Sequence, residues 1–177
     1  RQCVRAEMSP NETMNAARPS PVLCPISESE TENIGLAIGD AMNCGLLIGL
    51  NGTLGAGKTR LTQGIGKSLG IEHGQIVSPT FTICVPHEGR IPFLHLDAYR
   101  IKTPEEVDEL GLDEMLENGV SLIVEWFDLI RPLLPPVDLE IQIDAPTKDS
   151  RNFSFFSNTE NGLQILNALK LKNRNQS

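Results

Sequence analysis

A three-layer α/β domain, with helices on both faces of a mixed and partly antiparallel central sheet, is the fold this sequence predicts. Three observations predict it. Strand-like and helix-like segments alternate through the first half of the chain. A glycine-rich loop separates a short apolar run from a helical pattern between residues 46 and 69. Later segments bring strands joined by a short hairpin, which adds antiparallel neighbours. At 177 residues the chain is long enough for one domain with a real core and too short for two of ordinary size.

Residues 1–22 carry Pro10, Pro19 and Pro21 without apolar periodicity and read as a disordered tail, leaving residues 23–177 as one domain. Ser27 to Asn43 places Ile34, Ala37, Ile38, Ala41 and Met42 at helical spacing, behind Ser27 or Ser29 as N-cap and with Glu28, Glu30 and Glu32 in the first turns. Leu46 to Leu50 suits a buried strand feeding the Asn51-Gly52 turn. Thr59 to Leu69 is helical, and Gly70 stops it. Thr82 to Val85 and Ile91 to Leu96 read as a hairpin across residues 87–90. Pro104 to Asn118 is acidic and helical, broken at Gly111. Val120 to Val124 is an apolar strand, Val137 to Asp144 alternates as a half-buried one, and Arg151 to Ser157 is a further strand. Thr159 to Lys172 closes the chain with a helix.

Charge narrows the function classes. Lys and Arg total 15 against 23 Asp and Glu, a net of −8. Gripping a nucleic-acid backbone needs clustered Lys and Arg, so strong direct nucleic-acid binding is not expected. The longest uncharged apolar runs are far short of a membrane span, and no apolar leader pattern marks a signal peptide. Cys3, Cys24, Cys44 and Cys84 form no CxxC pair and stand at no zinc spacing with the three histidines, so a reducing cytoplasm is the expected compartment. Nine acids and no Lys or Arg lie between Pro104 and Asp128, a solvated face or a docking surface for a basic partner.

The strongest motif is Gly52-Thr53-Leu54-Gly55-Ala56-Gly57-Lys58-Thr59, which fits GxxxxGK[ST] at every fixed position. Its strand–loop–helix context specifies the fold further, as P-loop NTPase-like. Glycine lets backbone N–H groups converge on phosphate, and the following helix aims its positive end there. Lys58 is placed for the β/γ-phosphates, and Thr59 offers a hydroxyl to Mg²⁺. Glu125 ends an apolar strand in a Walker B-like way, so in an open α/β sheet it would lie beside Thr59. Asp97 ends another strand and shares a face with Phe93 and His95. It is a candidate to hold the metal through water or to orient the attacking water, the alternative being a structural ion pair with Arg100. His95 reads as a hydrogen-bonded core histidine. Ser78-Pro79-Thr80 lies where such proteins place a switch, and Thr80 is a candidate γ-phosphate contact. No [NT]KxD motif is present, which favours an adenine over a guanine nucleotide.

Taken together, the N-terminal helix with Thr31 and Gly35, the Leu54–Thr59 block, Ser78-Pro79-Thr80-Phe81, His95-Leu96-Asp97-Ala98-Tyr99-Arg100 and Val124-Glu125-Trp126 resemble the TsaE (YjeE-type) ATPase family. The likeness covers roughly residues 27–170. It implies an ATPase required for tRNA N6-threonylcarbamoyladenosine, working with TsaB and TsaD and using ATP/ADP and Mg²⁺. It implies that Thr59 and Glu125 ligate Mg²⁺, that the loop from Gly52 through Leu54, Gly55, Ala56, Gly57, Lys58 and Thr59 to Arg60 holds the phosphates, and that Asp97 serves hydrolysis. Arg151 matches a basic position near the nucleotide base, and Trp126 packs near the site. Two positions depart from the family pattern: Thr53 stands where an acid is usual, and Ala98 where Leu usually follows the Asp. A P-loop small-molecule kinase and a nucleotide-sensing adaptor with little turnover remain alternative readings.

Overall fold

The computed structural model describes residues 20–43, 45–72, 74–79 and 83–174. The N-terminal stretch up to residue 19, Cys44, His73 and the candidate contact Thr80 lie outside the described residues. Among the described residues, seven strands form one sheet: β1 Ser20–Ile26, β2 Leu47–Asn51, β3 Cys84–His87, β4 Phe93–Asp97, β5 Ser121–Glu125, β6 Leu139–Asp144 and β7 Arg151–Phe156. Their order across the sheet is β1-β7-β6-β2-β5-β4-β3. The centre is parallel, β6 and β5 flanking β2 and β4 following β5. The margins are antiparallel, through β3 on β4, β7 on β6 and β1 on β7. β1 begins at Ser20, inside the stretch read as tail. Short proline-bounded edge strands leave little period to detect.

The helices are α1 Glu28–Ala41, α2 Lys58–Ser68, α3 Pro104–Asp108, α4 Leu112–Glu117 and α5 Glu160–Arg174. α1 opens on a capping box, with the Ser27 hydroxyl accepting from Glu30 N and the Glu30 carboxylate accepting from Ser27 N at 2.7 Å. α3 and α4 are separate because Gly111 takes φ 61° between them, as the break at that glycine predicts. One face of the sheet buries Ile48, Leu50, Ile123, Ile141 and Phe153 against α1, α2 and α5. The other buries Leu47, Leu96, Leu122 and Val124 against Val107 of α3, Leu112 and Leu116 of α4, and Phe127. Strands buried on both faces explain the near-continuous apolar runs in β2 and β5. α1 lies close on α2 at Gly35 and Gly64, where a side chain on either would run into the other helix's backbone. No helix among the described residues is long and apolar enough to cross a membrane.

Candidate functional site

The site lies where the central parallel strands end. β2 runs out at Asn51, and the chain turns through the glycine loop into α2. Gly57, the N-cap of α2, takes φ 109°, a conformation that strains any residue with a Cβ. It supplies no side-chain cap, and α2 carries no acid in its first turn. The first-turn N–H groups therefore face the cleft with no side-chain acceptor, at the positive end of the helix.

The loop, α2 and the ends of β4 and β5 enclose a cleft of about 450 Å³. Lys58 is buried to 4% exposure, and its ammonium donates to Gly52 O at 2.7 Å and Thr53 O at 3.0 Å. It also stands 4.0 Å over the Trp126 ring. Burial holds its pKa below the ordinary lysine value, offset in part by the Glu125 and Asp97 carboxylates. Glu125 Oε1 accepts from the Thr59 hydroxyl at 2.8 Å and lies 2.8 Å from His95 Nε2. β4 pairs with β5 so that Asp97 is directly opposite Glu125. Asp97 Oδ1 accepts from Tyr99 N at 3.0 Å, capping the short turn after β4. Lys58, Asp97 and Glu125 are thus buried around one opening with His95 behind them, an arrangement that costs stability and marks a functional site.

The turn after β5 positions the aromatic wall. Trp126 adopts φ 58°, uncommon for a residue with a bulky side chain. Asp128 N donates to Asn51 Oδ1 at 3.0 Å, and Arg131 bridges Asp128 and Glu140. The Glu140 carboxylate, and then Asp128, raise the Arg131 pKa above its usual value against the opposing effect of burial. This network ties the segment behind Trp126 to the strand that feeds the loop. Tyr99 meets Trp126 with ring centroids 5.1 Å apart.

The structure brings Leu54, Gly55, Gly57, Lys58, Thr59, Arg60, Asp97 and Glu125 together on the cleft, with Ser78 at its edge. Arg60 lines it too, and its guanidinium pairs with Glu32 at 3.1 Å. Gly52 packs against the Ile143 carbonyl and Ala56 is fully buried beneath the loop. Arg151 also reaches the loop, its guanidinium on backbone carbonyls of Gly55 and Ala56. His95 is buried and hydrogen-bonded, as read from the sequence, yet its partner is the site carboxylate itself. Its place on one β4 face with Asp97 was the signal that could have assigned it here. Tyr99 was legible only as part of a motif; the turn capped by Asp97 is what carries it to the cleft.

The family model for TsaE, threonylcarbamoyl adenosine biosynthesis protein, matches residues 26–153. A Rickettsia conorii protein named tRNA threonylcarbamoyladenosine biosynthesis protein TsaE is 34% identical over 139 residues, spanning 78% of this chain and 79% of the relative. A Nostoc protein of the same name is 40% identical over 130 residues, 70% of this chain and 78% of its own. The crystal structure of YdiB from Bacillus subtilis superimposes with a TM-score of 0.74 at 29% identity, covering 90% of this chain and 99% of that one. A family match over most of the domain, relatives of this identity and a shared fold agree, and the chain belongs to the TsaE family.

Proposed function

We propose that this chain binds ATP with Mg²⁺ at the loop from Gly52 to Arg60 and hydrolyses it in support of tRNA N6-threonylcarbamoyladenosine formation, together with TsaB- and TsaD-like proteins in the cytoplasm. The observation that carries the reading is the convergence of Lys58, Thr59, Asp97 and Glu125 on one cleft at an uncapped helix N-terminus. Family membership supports the biosynthetic role.

The donor set fits a hard divalent ion, since the Thr59 hydroxyl and the Glu125 carboxylate are oxygen ligands already in contact. When bound, Mg²⁺ supplies charge that offsets the transferring phosphoryl group. Lys58 contributes a fixed positive charge toward the β/γ-phosphates, exchanging its loop carbonyls for phosphate oxygens. The N–H groups of the loop and of the first turn of α2 hold the anion without reorganisation. Asp97, opposite Glu125, orients the water that attacks the γ-phosphorus, giving ADP, phosphate and a proton. His95 holds Glu125 from the strand side, fixing the carboxylate that meets Thr59.

An ATPase assay on the purified chain, with and without TsaB and TsaD, tests this. Hydrolysis that the partners stimulate and that Lys58→Ala abolishes is the expected result. Lack of both stimulation and association sinks the reading. ATP consumption that rises with a metabolite instead points to a kinase. Nucleotide binding with no measurable turnover, even beside the partners, points to an adaptor.

A further inference from the structure

Arg151 opens β7 and is not among the residues that line the cleft. Its Nε donates to Ala56 O at 2.9 Å, and Nη2 to Gly55 O at 3.3 Å. Nη1 reaches the carbonyls of Thr147, Lys148 and Ser150 at 3.2, 3.1 and 2.9 Å. A guanidinium has five N–H groups in a rigid plane. Here its three nitrogens meet five backbone carbonyls, two on the glycine loop and three on the β6–β7 connection, the last three sharing the two N–H groups of Nη1.

The arrangement has a physical reason. A loop can turn its N–H groups inward onto an anion only if the matching carbonyls turn outward, and those carbonyls then need donors of their own. Ala56 is fully buried, so water is a poor substitute there. The Ala56 carbonyl shares a peptide unit with Gly57 N–H. A cation on the oxygen therefore polarises the N–H at the N-cap of α2, where the anion would sit. Lysine has the charge but no fork, and cannot reach both loop carbonyls and the β6–β7 connection together.

We propose that Arg151 is a positioning residue that braces the glycine loop from behind through Gly55 and Ala56, and makes no contact with the nucleotide base. This rests on the reading of the loop as a phosphate site and deepens it: the β6–β7 connection becomes part of the phosphate-binding apparatus. The brace acts on any polyphosphate, whatever base it carries.

The test is titration calorimetry of the full chain with MgATP and with magnesium tripolyphosphate, which has no base. It compares the unaltered protein with Arg151→Lys and Arg151→Gln. Both ligands should weaken by the same factor, about 5- to 30-fold, with the ratio of ATP to GTP affinity unchanged. Loss of ATP affinity with tripolyphosphate binding intact overturns the brace in favour of a base contact. Changes under twofold for both ligands overturn it as well. Should the variants not fold, the Arg151 Nε–Hε resonance of the unaltered protein decides: equal shifts with either ligand support the brace, and a shift with ATP alone overturns it. Failure of the unaltered protein to bind either ligand is a separate result, which removes the phosphate site and the brace with it.

Discussion

The two sides of the glycine loop are held by opposite means. On the cleft side, Lys58, Asp97, Glu125 and His95 are buried titratable groups whose contacts are mostly with one another and with the loop. On the far side, one arginine draws together backbone carbonyls of two connections, and no buried acid takes part. The cleft side keeps Lys58 in a charged state that burial disfavours, as its lowered pKa records. The far side satisfies carbonyls that the loop's shape leaves outward. Chemistry that requires poised charge thus rests on a backbone whose own hydrogen bonds are completed elsewhere.

Substitutions on the cleft side should change binding and turnover more than stability, and the largest effect is expected at Lys58. Lys58→Ala should weaken MgATP at least about 100-fold while thermal unfolding changes little, because the lost ammonium was itself costly to bury. A variant that unfolds as readily as it loses nucleotide would erase the contrast between the two sides. Next comes Glu125→Gln, which keeps the shape and removes the charge. Turnover should fall on the order of 10²- to 10³-fold with ATP affinity within several-fold, read from single-turnover hydrolysis beside equilibrium binding. His95→Gln, one contact further out, should cost about tenfold in turnover. An equal loss in both variants would make His95 more than a support.

The wall behind His95 gives a pH dependence. His87 lies below the ordinary imidazole value of 6.5 because of burial and, second, the charge of neighbouring His95. Between that lowered value and 6.5 the unfolded chain takes up a proton that the folded chain resists. Stability should therefore fall as pH drops through this window, and His87→Gln should flatten the fall in denaturant titrations from pH 7 downward. The smallest effect is expected on the far side, at Ser150→Ala. Its hydroxyl contact with Thr147 is exposed, and Arg151 uses the Ser150 carbonyl. Stability should move by less than about 0.5 kcal/mol and ATP affinity by less than twofold. A larger loss would show that the brace works through side chains as well.

Much of the architecture was legible because local signals agreed. Ser27 and Glu30 marked the start of α1, Gly111 the break between α3 and α4, and the apolar run before Asn51-Gly52 the central strand. β1 was not, since a short edge strand among prolines has no period to read, and its partner β7 lies more than a hundred residues along the chain. At the site, Lys58, Thr59 and Glu125 were legible from motif and strand end. The Arg60 guanidinium was not, because a charge beside a phosphate motif is indistinguishable in sequence from one that pairs with Glu32 on the facing helix.

The sequence alone determined the chemistry on offer: a glycine loop with a lysine and a hydroxyl at a helix start, and carboxylates at the ends of apolar strands. Those follow from residue types a few positions apart, where backbone geometry is nearly fixed. Only the tertiary structure decided which side of the loop each distant group serves. Strand register put Asp97 beside Glu125, and the return of β7 to the sheet put Arg151 on the carbonyls of Gly55 and Ala56. Such placements depend on pairings between segments as many as 96 residues apart. Long-range hydrogen bonding and packing settle them, and no local pattern encodes their direction.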